Sequence, residues 1–456
     1  MFDLAGVELE PKAEQFKTEI EQLKSEIIKR DRKIIELNDQ ISEMYQSRSW
    51  RWSSLIRIMG NLTRYIKEKT LRFFKKMVFL KEDLQLKINR NFTLKIVFIS
   101  AYPGTPGHVY RVERYVQTYR DLGCFANWIP LDQLSFFRKD IITANIIIFW
   151  RVEDSIEIET LIKSAKNNNA IIIYDIDDYI FDPDIADENH LDQIRSIDNK
   201  AYQFKLFSKR INALVSIVDY CTGTTIPLVK GFQKFGKTAF LLPNGFDDKV
   251  QSQDILTKKK EDDCIKIGYA GGTLTHQRDF KEVVPALVKI FSEYGNVKLI
   301  VFKKVLLLNE FPELSKYVDR IEIRDTVPFS ELPIEMVRFD INLAPLEVNN
   351  IFCEGKSELK YFDAALLKIP TIASPTDPFI KAIKNGENGF LAYDSDDWYN
   401  TIKSLIQNKN LREMMGKAAY DHAMVIFGPV ARKENVKNML ISIKQIDARL
   451  SMVNWI

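Results

Sequence analysis

Cysteine and histidine are scarce in this 456-residue sequence, with four of each. The cysteines are too few and too scattered for a disulfide framework, so we expect a reduced, cytoplasmic protein. No stretch approaches the roughly 18 to 20 consecutive apolar residues that a membrane-spanning helix needs. The opening segment MFDLAGVELEPK lacks a basic region followed by an apolar core, and it therefore does not predict a secretory signal.

A strong excess of either charge is also missing, because 65 Lys and Arg residues oppose 62 Asp and Glu residues. Whole-chain electrostatics therefore give no reason to expect a nucleic-acid partner. With 46% hydrophobic and 11% aromatic residues, the composition is that of a folded protein. Since domains commonly run roughly 100 to 200 residues, the length predicts two domains and an appendage.

Apolar residues keep a seven-residue repeat within residues 1–47. One position of the repeat holds Ala13, Ile20, Ile27, Ile34 and Ile41, and the position three residues later holds Phe16, Leu23, Leu37 and Met44. Ile at the first position and Leu at the second favour a parallel two-stranded coiled coil, so residues 13–44 predict a homodimer. The alternative is one long amphipathic helix that packs against its own chain, because Ile28 and Ile35 widen the apolar stripe.

The next segment, residues 48–92, carries a local excess of positive charge. It contains 12 Lys or Arg residues against three acidic residues, and aromatic and aliphatic residues are interleaved with them at helical spacing. Such a helix binds an anionic membrane surface, so the segment predicts a peripheral location on the inner face of the cell membrane. The alternative is a helix that extends the coiled coil or packs on the following domain. Nucleic-acid binding is disfavoured, because no nucleic-acid-binding motif accompanies the charges.

From Leu94 onward, short apolar runs alternate with helical patterns, which is typical of parallel sheets covered by helices. The first series comprises LKIVFIS, NIIIFW, AIIIYDIDD, ALVSIVDYCTGTT and AFLLPNG, and the second comprises CIKIGYAGG, VKLIVF, DRIEIRD, DINLAPL, PTIAS and GFLAY. We predict an α/β architecture of two Rossmann-like domains, at 93–246 and 264–428, joined by a linker at 247–263. An amphipathic helix at 429–456 is expected to cross back to the first domain.

Ligands of such sheets bind beyond the carboxyl ends of the strands, in the cleft between two domains. The turn after the first strand of the second domain offers backbone N–H groups at the start of a helix, which suits a phosphate. Glycines in such turns also serve close packing alone, and exposed cations are commonly solvated surface. The candidates in this turn and just after it are Gly271, Gly272, Thr273, His276, Arg278 and Lys281.

A more specific pattern lies further on, in LAPLEVNNIFCEGKSELKYFDAALLKIPTIASPTDPF. It runs from a buried strand through a loop and a helix to a proline that opens another strand. This segment resembles the nucleotide-sugar donor site of glycosyltransferase family 4, also called glycosyl transferases group 1. The segments similar to that family's pattern, in the same order, are GYAGGTLTHQRDF, LLPNGFD and IKNGENGFLAYDSDDWYNTI. SRSWRW at 47–52 resembles a segment found ahead of bacterial polysaccharide glycosyltransferase domains.

The resemblance extends from Leu94 to the C-terminus and implies the two-domain GT-B fold. It implies a retaining transfer of sugar from a nucleoside diphosphate, with no metal or other cofactor. By position, Asp363 would bind the ribose hydroxyls, where the family usually has Glu. The family's other Glu falls at Gly355 here, so we assign sugar binding to the adjacent Glu354, with Glu358 as the rival. The structural alternative for Glu358 is an exposed helical carboxylate. The remaining donor-site residues, including lysines to neutralise the diphosphate, are Lys356, Ser357 and Lys360.

The first domain would supply the residues nearest the transferred sugar. In the family this window often contains histidine, but here it reads YDIDD at 174–178. Asp175, Asp177 and Asp178 are therefore candidate catalytic residues that orient the sugar or the acceptor hydroxyl, and capping of the strand end is the structural alternative. An Asp-x-Asp metal site belongs to a different architecture and is disfavoured. His108 is a further catalytic candidate that we expect to face the cleft. Acceptor or phosphate contacts are also expected from Tyr110 and Arg111.

Together these features predict a peripheral, homodimeric glycosyltransferase that extends a lipid-linked or cell-surface glycan at the cytoplasmic face of the membrane. A membrane-bound acceptor would explain the basic helical segment, and dimerisation would double its membrane contacts. The alternative is a non-catalytic, glycosyltransferase-like scaffold that organises partner enzymes through its coiled coil. Nucleotide binding distinguishes the two hypotheses.

Overall fold

A computed structural model of the protein describes residues 94–187, 189–192, 200–247, 264–271, 277–303 and 310–451. The predicted coiled coil, the predicted basic helical segment and residues 248–263 of the predicted linker lie outside the described residues. The same is true of Gly272, Thr273 and His276.

Six parallel strands form the sheet of the first domain: β1 (Lys95–Ser100), β2 (Phe125–Pro130), β3 (Ile146–Trp150), β4 (Ile171–Ile176), β5 (Tyr220–Gly223) and β6 (Ala239–Leu241). Their order across the sheet is β2-β1-β3-β4-β5-β6. Every residue of the central strands β3 and β4 is buried. Because both faces of such strands are covered, the sequence shows unbroken apolar runs there and no alternation with polar residues.

The helices of the first domain connect these strands. In chain order they are α1 (Pro106–His108), α2 (Arg114–Asp121), α3 (Leu134–Ile142), α4 (Ile156–Lys166), α5 (Lys200–Ile217) and α6 (Ile226–Lys234). A π-helical turn, Val109–Glu113, joins α1 to α2, and 3₁₀ turns occupy Leu131–Gln133 and Pro183–Ile185. Ser155 and Thr225 begin α4 and α6 as N-caps, since each side chain accepts a hydrogen bond from a backbone N–H of the first turn.

The second domain contains a sheet of the same size: β7 (Ile265–Tyr269), β8 (Val297–Phe302), β9 (Ile321–Arg324), β10 (Ile341–Ala344), β11 (Thr371–Ala373) and β12 (Phe390–Leu391). Its strands are parallel and follow the order β12-β11-β10-β7-β8-β9. The chain therefore builds outward from β7 in one direction and then from β10 in the other. The boundary between β7 and β10 is the switch point at which parallel sheets bind ligands.

The helices of the second domain are α7 (Gln277–Lys281), α8 (Val284–Glu293), α9 (Leu332–Met336), α10 (Ile351–Glu354), α11 (Leu359–Ala365), α12 (Asp377–Ala382), α13 (Ser395–Gln407) and α14 (Lys409–Ile426). Pro312–Arg320 and Phe329–Glu331 form 3₁₀ turns. Buried apolar side chains lie in two clusters against the sheet. One contains Phe280 and Leu287, and the other contains Phe339.

The C-terminal helices α15 (Pro429–Ile446) and α16 (Ala448–Ser451) follow the second domain in sequence but contact the first. Arg432 of α15 donates hydrogen bonds to Thr118 Oγ1 at 2.7 Å and to the carbonyl oxygen of Phe246 at 2.8 Å. The side chains of α15 that join the hydrophobic core of the first sheet are Val436, Met439, Leu440 and Ile443.

The described part of the chain thus has an α/β architecture with two Rossmann-like domains, which confirms the predicted fold class. Continuous apolar runs correctly indicated buried parallel strands in both halves. Within these described residues, no helix combines the length and the apolar character that a membrane crossing needs.

Candidate functional site

The segment between β10 and the end of α11 contacts the first domain. The hydroxyl of Tyr110 donates to both carboxylate oxygens of Asp363, at 2.9 Å each. The side-chain amide of Asn244 donates to Ser357 Oγ at 2.9 Å. Because this segment leaves β10 at the switch point of the second sheet, it lies where a ligand of such a fold binds.

A cap and a glycine shape the start of this segment. Asn350 Oδ1 accepts a hydrogen bond from the backbone N–H of Phe352 at 3.0 Å and so begins α10. At Gly355, an added Cβ would lie 3.1 Å from the side chain of Tyr179, and the carbonyl oxygen accepts a hydrogen bond from Thr225 Oγ1 at 3.1 Å. The missing side chain therefore lets this backbone approach the first domain closely.

Lys356 is held by a buried carboxylate. Its ammonium lies 2.8 Å from Asp279 Oδ2, and Asp279 is 2% exposed. Asp279 Oδ1 also accepts hydrogen bonds from Cys353 Sγ at 3.3 Å and from the backbone N–H of Glu347 at 3.2 Å. Burial opposes the charge on Lys356, but the attraction of Asp279 outweighs it and raises the pKa of the lysine. Lys356 is therefore a fixed cation.

Lys360 is a cation of a different kind. It lies one helical turn before Asp363 on α11, and its ammonium is 5.8 Å from the ring centroid of Tyr269. Within the part of the chain that the structure describes, this ammonium has no hydrogen-bond or ion-pair partner. Burial, together with repulsion by Lys356, lowers the pKa of Lys360 to about 8. A bound anion would reverse that shift.

The carboxylates of the segment differ in surroundings. Burial raises the pKa of Asp363 to about 6, although the hydroxyl of Tyr110 stabilises the charged form. Burial also raises the pKa of Glu358, which is 7% exposed, to about 7. Glu354 Oε2 instead accepts a hydrogen bond from the backbone N–H of Asp377 at 2.9 Å, at the first residue of α12. The position of Glu354 therefore gives it a helix-capping contact.

The remaining described candidates of the second domain lie on the turn after β7 and on α7. Arg278 forms an ion pair with Glu347, and it donates to the carbonyl oxygen of Asn189 in the first domain at 2.7 Å. Lys281 is exposed and Gly271 is buried. The side chain of Arg278 thus already has both a carboxylate and a carbonyl partner.

In the first domain, Asp175 lies in the interior. It is 2% exposed, and Arg111 donates to both of its oxygens, at 3.0 Å from Nε and 2.5 Å from a terminal nitrogen. Thr222 Oγ1 donates to Asp175 Oδ1 at 2.5 Å. Arg111 also donates to Asn244 Oδ1 at 3.3 Å, and Asn244 in turn contacts Ser357. This arrangement favours the structural interpretation of Asp175.

Asp177 and Asp178 lie at the carboxyl end of β4 and share a single cation. Arg151 Nε donates to Asp177 Oδ1 at 2.7 Å, and a terminal nitrogen of Arg151 pairs with Asp178. Trp150 Nε1 lies 3.3 Å from Asp177 Oδ1. Arg151 has a φ of +53°, a left-handed conformation that costs energy in a residue other than glycine. Its guanidinium group contacts both aspartates.

His108 is fully buried. Its Nδ1 lies 2.9 Å from Ser100 Oγ, its Nε2 lies 3.5 Å from Glu113 Oε1, and its ring packs against Trp128 with 4.4 Å between centroids. We expected His108 to face the cleft, but its side chain lies in the interior of the first domain. The imidazole contacts the end of β1 and the side chain of Trp128.

Of the predicted donor-site residues, the structure brings Lys356, Ser357, Lys360 and Asp363 together on one segment. Sequence reasoning did not single out Asp279, which fixes Lys356, or the contacts of Asn244 and Arg151. Two of these had a signal in the sequence. Asp279 follows Arg278 in GYAGGTLTHQRDF, and Asn244 belongs to LLPNGFD.

The sequence matches no protein-family model and no curated protein. Solved structures do resemble the fold. HepE of Anabaena in complex with UDP and glucose is 13% identical with a TM-score of 0.54, over 76% of this chain and 100% of that one. Sucrose-phosphate synthase of Thermosynechococcus elongatus is 10% identical with a TM-score of 0.52, over 77% and 100%.

A glycosyltransferase of Rickettsia africae is 12% identical with a TM-score of 0.51, over 77% of this chain and 99% of that one. At these identities the likeness establishes the fold and nothing finer. The described domains therefore have the GT-B fold.

Proposed function

We propose that the protein is a glycosyltransferase that moves a sugar from a nucleoside diphosphate to a glycan or lipid-linked acceptor. The observation that carries the proposal is the segment from Lys356 to Asp363. It combines a fixed cation, a cation without a partner among the described residues, and a carboxylate, all at the switch point of the second sheet. The HepE structure, which shares the fold, contains UDP and glucose, and this supports a nucleotide-sugar donor.

Each part of the donor has a matching group. Asp363 would accept hydrogen bonds from the ribose hydroxyls, since a carboxylate offers two oxygens to a pair of neighbouring donors. Lys356 and Lys360 would neutralise the diphosphate as negative charge develops on it. Glu354 would contact the sugar through Oε1, since its Oε2 is engaged at α12, and Glu358, which is 7% exposed, is the rival.

The reaction would break the bond between the anomeric carbon and the diphosphate and join that carbon to an acceptor oxygen, which loses its proton. Retention of configuration and independence of a metal follow from the resemblance to family 4 and are part of the proposal. Analysis of the product anomer by NMR and transfer in the presence of a chelator test them separately.

The acceptor is proposed to be a lipid-linked or cell-surface glycan at the inner membrane face, with residues 48–92 on the anionic surface and residues 13–44 forming a homodimer. Removal of residues 1–90 should release the protein from anionic vesicles and leave nucleotide binding intact. Undiminished vesicle binding would contradict the membrane part of the proposal without affecting the donor site.

Sugar transfer tests the proposal as a whole. Radiolabelled sugars from a panel of UDP, GDP and CDP donors are offered with a lipid and glycan extract of the source cells, and incorporation is compared with that of Asp363→Ala. Asp421→Ala is the matched control, because Asp421 is exposed on α14 and pairs with Lys417. We expect incorporation from one donor, lost only in Asp363→Ala. Equal incorporation by both variants would exclude this donor site.

One observation favours the second candidate, a non-catalytic scaffold. The hydroxyl of Tyr110 engages both oxygens of Asp363. A permanent contact of this kind would restrict the access of a nucleotide to the carboxylate. A protein that binds none of the three nucleoside diphosphates would fit the scaffold better.

A further inference from the structure

A tyrosine of the first domain lies in the middle of the proposed donor site. Tyr110 is 3% exposed, and its hydroxyl lies 2.9 Å from each oxygen of Asp363. Since Tyr110 belongs to the turn before α2 and Asp363 to α11, this bifurcated hydrogen bond connects the two domains. It uses both oxygens of the carboxylate for a single donor.

The ring of Tyr110 also contacts the second domain. Its centroid lies 5.1 Å from that of Phe329 and 6.2 Å from that of Phe362, both in the second domain. The guanidinium group of Arg114 lies 4.3 Å from the ring centroid. The second domain therefore surrounds Tyr110 with two aromatic rings and one carboxylate.

The backbone of the first domain fixes Tyr110 in this place. Val109–Glu113 is a π-helical turn, a rare conformation that is frequent at functional sites. The next residue, Arg111, is anchored by two hydrogen bonds to Asp175 in the interior of the first domain. Tyr110 is thereby directed outward, toward Asp363.

A nucleoside presents the same chemistry as this side chain, namely a flat aromatic ring and hydroxyl donors. We propose that Tyr110 competes with the nucleoside part of the donor for Asp363, and that a nucleoside diphosphate binds only when the tyrosine hydroxyl leaves this carboxylate. This inference rests on the proposed function. It makes Tyr110 an internal competitor, so that the apparent affinity is lower than the affinity of the unobstructed site.

Removing only the hydroxyl of Tyr110 distinguishes a competitor of the nucleotide from a side chain that merely packs between the domains. A phenylalanine would fill the space between Phe329 and Phe362 equally well but would leave the oxygens of Asp363 to a ligand. Removing the hydroxyl should therefore weaken the domain contact and strengthen nucleotide binding. A purely structural tyrosine would not produce these opposite signs.

The test is isothermal titration of UDP, GDP and CDP into the full-length wild type and Tyr110→Phe. We expect the dissociation constant of the nucleotide that binds to fall roughly ten- to hundredfold in Tyr110→Phe, the range for a hydrogen bond to a charged group. The unfolding temperature without nucleotide should fall at the same time. Tyr115→Phe is the matched control, because the buried hydroxyl of Tyr115 donates to Pro243 within the first domain at 2.7 Å.

The possible results distinguish failure of the competition by Tyr110 from failure of the proposed donor site. Suppose that the wild type binds a nucleotide, that Asp363→Asn does not, and that Tyr110→Phe binds equally or more weakly than the wild type. Competition by Tyr110 is then wrong, but the donor site at Asp363 is supported. If none of the three nucleotides binds to the wild type, Tyr110→Phe or Tyr110→Ala, both the proposed donor site and the competition by Tyr110 are wrong. Tighter binding by Tyr110→Phe but not by Tyr115→Phe supports the inference.

Hydrogen exchange gives a second readout that needs no variant. If the nucleotide displaces the tyrosine, amides of residues 109–121 should exchange faster in the presence of the nucleotide that binds. Slower exchange in this segment would contradict displacement, since a ligand that merely adds contacts protects the backbone.

Discussion

The charged groups at the carboxyl ends of the two sheets have different partners. In the first domain they are paired within that domain, as Asp175 with Arg111, and Asp177 and Asp178 with Arg151. In the second domain, Lys360 has no ionic partner among the described residues, and the hydroxyl on Asp363 comes from the other domain. The first domain pairs these charges internally, whereas the second pairs Lys356 with Asp279 but leaves Lys360 without an ionic partner among the described residues.

The largest expected effect is on the stability of the first domain. Arg111→Met would leave the carboxylate of Asp175 buried without its cation, so the free energy of unfolding should fall by about 3 to 5 kcal/mol. Chemical denaturation measures this. Lys417→Met, in an exposed pair with Asp421, should change stability by less than about 0.5 kcal/mol. If Arg111→Met lowered the free energy of unfolding no more than Lys417→Met does, the ion pair of Arg111 with Asp175 would not stabilise the first domain.

The next expected effect is on nucleotide binding by the second domain. Lys360→Met removes the cation that has no ionic partner among the described residues, and the dissociation constant of the nucleoside diphosphate should rise by about tenfold or more. The unfolding temperature at pH 7 should rise, because the lowered pKa of Lys360 means that its buried charge disfavours the folded protein. Unchanged affinity, with Lys417→Met as the control, would remove Lys360 from the site.

The pH dependence of binding should follow Asp363. Since only the carboxylate accepts two hydroxyls, and burial raises the pKa of this group from 3.8 to about 6, affinity should fall about tenfold per pH unit below pH 6. Its charged and titratable neighbours are Tyr110, Arg114 and Lys360. Asp363→Asn should bind weakly at every pH. Titration between pH 5 and 8 would contradict this if affinity were constant.

The free energy of unfolding should depend on pH in the opposite direction to nucleotide affinity. The raised pKa means that the folded protein holds the proton more tightly than the unfolded chain. Its contribution to stability is therefore fully present below about pH 4 and is lost as the pH rises through 6. Asp363→Asn should remove this part of the pH dependence of unfolding.

The smallest expected effect is proton uptake on binding. At pH 8 about half of the Lys360 side chains are neutral, because burial and Lys356 lower the pKa to about 8. A diphosphate would restore the charge, so binding should take up roughly half a proton. Calorimetry in two buffers of different ionisation enthalpy measures this uptake. The charged and titratable neighbours of Lys360 are Lys356, Asp279, Cys353 and Asp363. Uptake that persists in Lys360→Met would contradict the assignment.

Much of the fold could be predicted, because a buried parallel strand leaves a direct mark on the sequence. IIIFW at β3 and IIIYDI at β4 read as strands without any knowledge of their neighbours. The segment from Lys356 to Asp363 could be found for a related reason, since its lysines and carboxylate lie close together along the chain.

The pairings at the site could not be predicted. Tyr110 and Asp363 are 253 positions apart, and nothing local to either residue indicates that they meet. The contact of Glu354 with Asp377 depends on where α12 begins, which the spacing around Glu354 does not indicate. The buried position of His108 likewise depends on Trp128 and Ser100. Contacts of this kind depend on tertiary packing, not on local spacing.

We propose that the second domain binds a nucleoside diphosphate through Asp363 and its neighbouring lysines. Calorimetric titration of UDP, GDP and CDP into the wild type and Asp363→Ala tests it most directly. We predict that one nucleotide binds the wild type with one site per chain and fails to bind the variant. Absence of binding by all three, or equal binding by the wild type and Asp363→Ala, would mean that Asp363 is not part of a nucleotide-binding site.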